Sequence, residues 1–313
     1  MQKAAPIMQL TPWSHDCSEG FTLRGWRSEP TGRPLLHVLH GNGFCSLAYQ
    51  PLLMHLGQHF DLWLSDVQGH GDSDHGGPFR GWNRTAALAA EAFSAQVAEY
   101  GNVPRLAIGH SFGGVLTGLL LANEPQLFER AVLLDPVIFS RRMLFSMKLA
   151  ACFGLNRHHA LARKTARRRS TWPDRPSAMT SLQGRGIFKG WTDAALQAYV
   201  AHAIAEGEGG VMLKCRPSRE VDIFSTYPSH LWSSLARISV PTRVVYGSQT
   251  YPYVQASAIR LAALNPHVSA QQVAGGHCFM QENPEAAAQE VLAFLRSSVL
   301  PIEHAGPFQV ASP

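Results

Sequence analysis

The stretch "RLAIGHSFGGVLTGLLLA", Arg105 to Ala122, decides how the whole chain is read. Its first residues form a short apolar run of strand type and its second half is an apolar run long enough for a helix, so a strand passes into a helix with almost no connection. At the junction stands Gly109-His110-Ser111-Phe112-Gly113, a G-x-S-x-G pentapeptide in the strand–turn–helix context that a nucleophile elbow requires. A serine at such a turn sits in a strained conformation, and side chains at the flanking positions would collide with strand and helix. Gly114 adds further room. Ser111 is therefore the candidate nucleophile.

Outward from the elbow, short apolar runs alternate with longer helical stretches, the pattern of a parallel sheet covered on both faces. Strands are expected at "LLHVLHG" from Leu35, "FDLWLSDV" from Phe60, "RLAIGHS" from Arg105, "AVLLDPV" from Ala131, "TRVVYGS" from Thr242 and "VSAQQVAGG" from Val268. Helices are expected at Arg84 to Tyr100, Phe112 to Asn123 and Pro284 to Ser298. Between about Ser140 and Tyr227 the strand rhythm stops, and "RRMLFSMKLAACFGL" and "DAALQAYVAHAIAEG" carry helical spacing. That segment is too long for a plain connection. The expected organisation is a sheet core in two parts, 1–139 and 228–300, a mostly helical lid at 140–227 over the sheet, and a loosely held tail at 301–313.

Three further stretches join the elbow in a resemblance to the α/β-hydrolase fold superfamily, which extends over nearly everything outside the lid. "HVLHGNGF" ends a strand at His40-Gly41, where the superfamily builds its oxyanion hole; "DVQGHGDSD", Asp66 to Asp74, is similar to its D-x-R-G-H-G-x-S loop, with Gln68 for the usual Arg. "GGHCFMQENP" resembles its catalytic-histidine loop. The resemblance implies an α/β fold with a mostly parallel central sheet, helices on both faces and a serine hydrolase activity.

Chemistry assigns the roles. A serine hydroxyl is a weak nucleophile until a base takes its proton, and His277, after two glycines and before the final helix, is the candidate base. Charge on the substrate's carbonyl oxygen must meet fixed donors, expected to be the backbone N–H groups of Phe112 and Asn42. His40 and His70 are expected to brace their loops. The superfamily usually places its acid a few residues past the seventh strand, yet Gly247-Ser248-Gln249-Thr250-Tyr251 contains no Asp or Glu, and Thr250 is expected to matter little. Some members place the acid after the sixth strand instead, and "AVLLDPV" has Asp135 there. A carboxylate ending a buried strand is costly unless paired, and the Nδ1–H of His277 would pair it. Asp222 and Glu220 are weaker candidates because lid residues arrive from above the site.

Composition narrows the partners. With 45% hydrophobic and 16% charged residues and no sustained uncharged apolar window, the chain reads as a globular protein without a membrane span. "MQKAAPIMQLTPWSHD" shows no signal-peptide pattern, so a cytoplasmic location is expected. The five cysteines, at 17, 45, 152, 215 and 278, are scattered and lack a C-x-x-C pair, which argues against disulfides and zinc. The basic run "RKTARRR", Arg163 to Arg169, is of a kind that meets nucleic acid or anionic lipid, but it has no aromatic interleaving and is read as a solvated helix face, with no nucleic-acid partner. No metal or organic cofactor is indicated. In the lid, Met143, Phe145, Met147, Phe153, Phe188 and Trp191 suggest an apolar pocket lining or a helix core. The expectation is hydrolysis of a carboxylic ester or related acyl substrate with an apolar portion, through an acyl-enzyme. An acyltransferase using the same residues, or a non-catalytic binding protein on this fold, are the alternatives.

Overall fold

The computed structural model of the chain describes residues 9–157 and 159–297. Ser298 and the tail at 301–313 lie outside them. Among the described residues the strands are β1 Thr11–Asp16, β2 Thr22–Arg27, β3 Leu35–Leu39, β4 Asp61–Asp66, β5 Arg105–His110, β6 Arg130–Leu134, β7 Thr171–Trp172, β8 Ile204–Gly207, β9 Gly210–Leu213, β10 Thr242–Gly247 and β11 Val268–Val273. The helices are α1 Gln50–Leu56, α2 Trp82–Gln96, α3 Phe112–Asn123, α4 Arg141–Cys152, α5 Ala160–Ala166, α6 Arg175–Leu182, α7 Asp193–His202, α8 Pro217–Phe224, α9 Leu231–Leu235, α10 Pro252–Leu264, α11 Phe279–Glu282 and α12 Pro284–Leu295.

One eight-stranded sheet has the order β1-β2-β4-β3-β5-β6-β10-β11. From β4 to β11 every neighbouring pair is parallel; β1 pairs antiparallel with β2, and β2 with β4. Successive side chains of each inner strand enter opposite cores, as strand geometry dictates. Leu35 and Leu39 of β3 join the core beneath α2, α3, α9 and α10, whereas Leu36 and Val38 join the one beneath α1 and α12. Burial on both faces is why these strands read as continuous apolar runs. β1 and β2 lacked that signal because they are polar outer strands, and β1 buries only Trp13.

The insertion between β6 and β10 holds α4 to α8, but it is not purely helical. β7, β9 and β8 form a small antiparallel sheet, and the expected helix through "DAALQAYVAHAIAEG" stops at His202, after which Ile204–Gly207 is a strand. Gly209 and Gly210, at φ 75° and 148°, make the hairpin that such short strands need. The helix expected at Arg84 to Tyr100 ends at Gln96 and continues as a 3₁₀ turn over Val97–Tyr100. No described helix is long and apolar enough to cross a membrane.

His37 gives the core a pH dependence. It is fully buried in β3 between Phe93 and Phe128, with ring centroids 5.1 and 5.5 Å away, and its Nε2 meets Ser65 Oγ at 3.0 Å while Nδ1 has no partner among the described residues. Burial lowers its pKa to about 3. The folded pKa lies below the unfolded value of about 6.5, so this contribution to stability is present above that pH and is lost as pH falls, when only the unfolded chain takes up the proton. At pH 5 the loss from this one site is about 2 kcal/mol. Urea unfolding at neutral pH and at pH 5 should show the difference, and His37→Phe should remove that share of it.

Candidate active site

Ser111 follows β5 directly at φ 55° and ψ −113°, and α3 begins at the next residue. The flanking glycines are required by contact. A Cβ on Gly109 would stand 2.3 Å from Gly113 O, and one on Gly113 2.4 Å from the backbone oxygens of Leu39 and His40. The Ser111 N–H donates to Leu134 O at 2.9 Å, tying the elbow to β6.

His277 lies in the loop after β11. That loop is drawn against the end of β10 so closely that a Cβ on Gly247 would be 2.4 Å from Gly276 O. Its Nε2 is 2.9 Å from Ser111 Oγ and its Nδ1 is 2.5 Å from Asp135 Oδ2. Asp135 directly follows β6 at φ 43°, wholly buried, with its N–H donating to Val245 O at 2.7 Å. The structure thus brings Ser111, His277 and Asp135 together in one line.

The carboxylate-free loop serves the acid from the other side. Gly247 N–H donates to Asp135 Oδ1 at 2.8 Å, and the Thr250 hydroxyl donates to Oδ2. With the imidazole N–H, three donors offset the desolvation of a buried carboxylate. Thr250, expected from the sequence to matter little, is thus a hydrogen-bond donor to Asp135. Tyr251, beside it, tilts against the His277 ring at 5.1 Å. The alternatives lie elsewhere. Glu220 is paired with Arg168, whose Nη1 is 2.8 and 2.7 Å from the two carboxylate oxygens, and Asp222 pairs with Arg157 and Arg219.

Asn42 sits in the turn Gly41-Asn42-Gly43 at the end of β3. Gly41 N–H donates to Tyr49 Oη at 3.0 Å and Gly43 N–H to His70 Nε2 at 3.1 Å. Among the described residues, the amides of Asn42 and Phe112 have no acceptor inside the protein, and Phe112 is the first residue of α3, where backbone N–H groups point out of the helix. His40 and His70 hold the turn: His40 Nδ1–H donates to Gly41 O at 2.8 Å while Nε2 accepts from Val67 N–H at 3.1 Å, and His70 Nδ1–H donates to Gln68 O at 3.1 Å. Burial lowers both pKa values, keeping the rings neutral and able to accept. Gln68 donates its amide to the carbonyls of His75, Gly76 and Pro78, and Arg219 reaches from the insertion to those of His75 and Gly77.

One connection had no sequence signal beyond the identity of His110. Its Nε2 is 3.0 Å from His277 O, which can only accept, so Nε2 carries the proton and Nδ1 accepts from Tyr49 O–H at 2.6 Å. Burial and the proximity of His277 hold the pKa of His110 well below 6.5, and burial holds that of Tyr49 well above 10. A directional chain runs from Gly41 N–H through Tyr49 and His110 to the backbone of His277, joining the turn after β3 to the histidine loop.

The insertion meets this region. Tyr199 O–H donates to Gly43 O at 3.1 Å, Asn42 Nδ2 to Glu220 O at 3.3 Å, and Phe44 packs on Trp191 at 5.6 Å. Arg168 is thus a partner of the insertion's interior, unlike the rest of the basic run. Phe188 is buried beside Trp191, whereas Phe145 and Phe153 are each 70% exposed and neither line a pocket nor form a core.

Residues 36–290 match the model of the Alpha/beta hydrolase family, and the chain belongs to that family. A curated relative, the "Abhydrolase domain-containing protein AFT2-1" of Alternaria alternata, is 29% identical over 114 residues, 36% of this chain and 38% of its own length. The chain thus spans under two fifths of that relative. Among solved structures, an E-2-(acetamidomethylene)succinate hydrolase matches with TM-score 0.73 and 18% identity over 92% of this chain and 100% of the other. The carboxylesterase CesB of Bacillus subtilis matches with TM-score 0.61 and 18% identity over 94% of each chain. At that identity both show the shared fold.

Proposed function

We propose that the protein is a serine hydrolase that cleaves a carboxylic ester or related acyl substrate through an acyl-enzyme. The observation that carries this reading is the continuous line from Asp135 Oδ2 through His277 to Ser111 Oγ, with links of 2.5 and 2.9 Å. His277 Nδ1–H is held by Asp135, so Nε2 is the basic nitrogen and takes the proton of Ser111 as Oγ attacks the carbonyl carbon. The oxyanion meets the unpaired amides of Asn42 and Phe112 at the positive end of α3. His277 then gives its proton to the leaving oxygen, and in the second half it draws a proton from water to release the acid. The contacts of Tyr199, Glu220 and Trp191 with the turn at 41–44 favour the insertion as a lid over Ser111, which is itself only 8% exposed.

Labelling with a fluorophosphonate, followed by a panel of short- and medium-chain esters, tests this reading. Labelling at Ser111 with turnover of at least one ester is expected. Labelling with no turnover, but acyl transfer to an added alcohol or thiol, would move the assignment to an acyltransferase.

The Tyr49–His110 chain adds a prediction. Tyr49→Phe leaves both the Gly41 N–H and the His110 Nδ1 without their partner, a loss of about 1–3 kcal/mol for each buried group. Where that strain falls on the relative position of turn and histidine loop, kcat should drop about tenfold with KM little changed. Steady-state kinetics on the best ester, beside a thermal melt, checks the split.

A further inference from the structure

Residues 140–170 carry nine of the chain's 27 Lys and Arg and none of its 22 Asp and Glu, leaving the rest of the chain net acidic, 18 against 22. Two of the nine are neutralised from α8, Arg157 by Asp222 and Arg168 by Glu220. The other seven make no salt bridge among the described residues and are exposed.

The same segment exposes hydrocarbon. α4 has no fully buried residue, and Phe145 and Leu149 are 70% and 50% exposed, with Phe153 at its end again 70%. Spaced four apart, these three form one row, and Arg141 starts that row one turn earlier with Arg142 and Lys148 beside it. Farther along the same segment Leu155 and Leu161 are also exposed, at 55% and 48%. A row of exposed aromatic and aliphatic side chains flanked by basic ones is the pattern of an interaction surface.

We propose that α4 and α5 dock the protein on the surface of an anionic phospholipid bilayer. Only at the boundary between headgroups and acyl chains do fixed negative charge and hydrocarbon lie within a side chain's length of each other, and Phe and Leu beside Lys and Arg in one row match that boundary. Phe145, Leu149 and Phe153 enter it while the basic side chains meet lipid phosphates. A protein partner would gather its apolar contacts into a centre ringed by charge, whereas here the basic residues stand at one end and along one side of an apolar row. Single-stranded nucleic acid stacks on aromatic faces, which the leucines lack. The insertion therefore has two faces with different tasks, one on the turn at 41–44 and one toward lipid.

Sedimentation of the full chain with phosphatidylcholine vesicles, with and without phosphatidylglycerol, tests the surface without reference to catalysis. Association is expected only with phosphatidylglycerol present, and raised salt should weaken it. The double variant F145S/F153S should lower the vesicle-bound fraction about tenfold, and R141Q/R142Q/K148Q should do likewise. Both sets of side chains are exposed, so the wild-type melting temperature and fluorophosphonate labelling should be retained. No association with phosphatidylglycerol vesicles at low salt would overturn the proposal. So would binding that survives loss of both phenylalanines, which would mark plain attraction to polyanions, or capture of an acidic protein by a chain that ignores vesicles.

Discussion

Ser111→Ala should lower kcat on any ester the protein turns over by on the order of 10⁶, and should abolish fluorophosphonate labelling, while the melting temperature stays near that of the wild type. The backbone at 111 is held by its own N–H bond to Leu134 O and by the glycine contacts of Gly109 and Gly113, none of which involves the hydroxyl. Alanine therefore inherits the same strained turn and loses only Oγ. His277→Ala should cost a similar factor, and the double variant hardly more, because nucleophile and base act as one unit whose parts are worthless alone. The amides of Asn42 and Phe112 do not depend on either side chain, so a residual rate above the uncatalysed reaction should survive in all three variants. A folded Ser111→Ala protein with near-wild-type turnover would remove Ser111 from the mechanism.

The elbow was legible because its physics is local. A strand, two glycines and a helix in immediate succession leave few other conformations, and Gly109 and Gly113 prove to be the positions where any Cβ would strike backbone. The inner strands were legible for a related reason, their burial on both faces. β1 and β2 were missed because they lie at the outer end of the sheet and alternate with polar residues. The β7-β9-β8 sheet was missed because strands of two and four residues carry less pattern than the helix that precedes them. In the site, His277 and Asp135 were legible through the resemblance of their loops to the superfamily's, and the need of a buried carboxylate for a partner supported joining the two. The roles of Thr250, Tyr49 and His110 were not, since each depends on a contact across the sheet that no spacing along the chain encodes. Phe145 and Phe153 show the reverse error: apolar composition suggested a pocket or a core, whereas the side chains face outward.

Asp135→Asn should lower kcat by about 10⁴ with the fold preserved, the scale on which the wrong imidazole tautomer disables a serine hydrolase. The hydrogen bonds force this outcome. Asp135 accepts from three donors, Gly247 N–H at Oδ1 and the Thr250 hydroxyl and His277 Nδ1–H at Oδ2. An asparagine has a single acceptor oxygen. Placed on the Gly247 amide, it turns its own NH₂ toward His277 Nδ1, which must then accept, and the ring proton moves to Nε2 where the proton of Ser111 was to go. Placed on His277 instead, it sets NH₂ against the Gly247 N–H, two donors facing each other in a buried site. Thr250 eases the first arrangement, because a hydroxyl can rotate from donor to acceptor, and so the inactive tautomer is the stable one. Thr250→Val is the measure of the difference: it removes one of three donors and leaves the carboxylate and the tautomer in place, so kcat should fall by about tenfold or less. Steady-state kinetics on the two variants should therefore separate by roughly three orders of magnitude. If Thr250→Val instead lost as much as Asp135→Asn, the acid's position rather than its charge and tautomer control would be what the loop after β10 supplies.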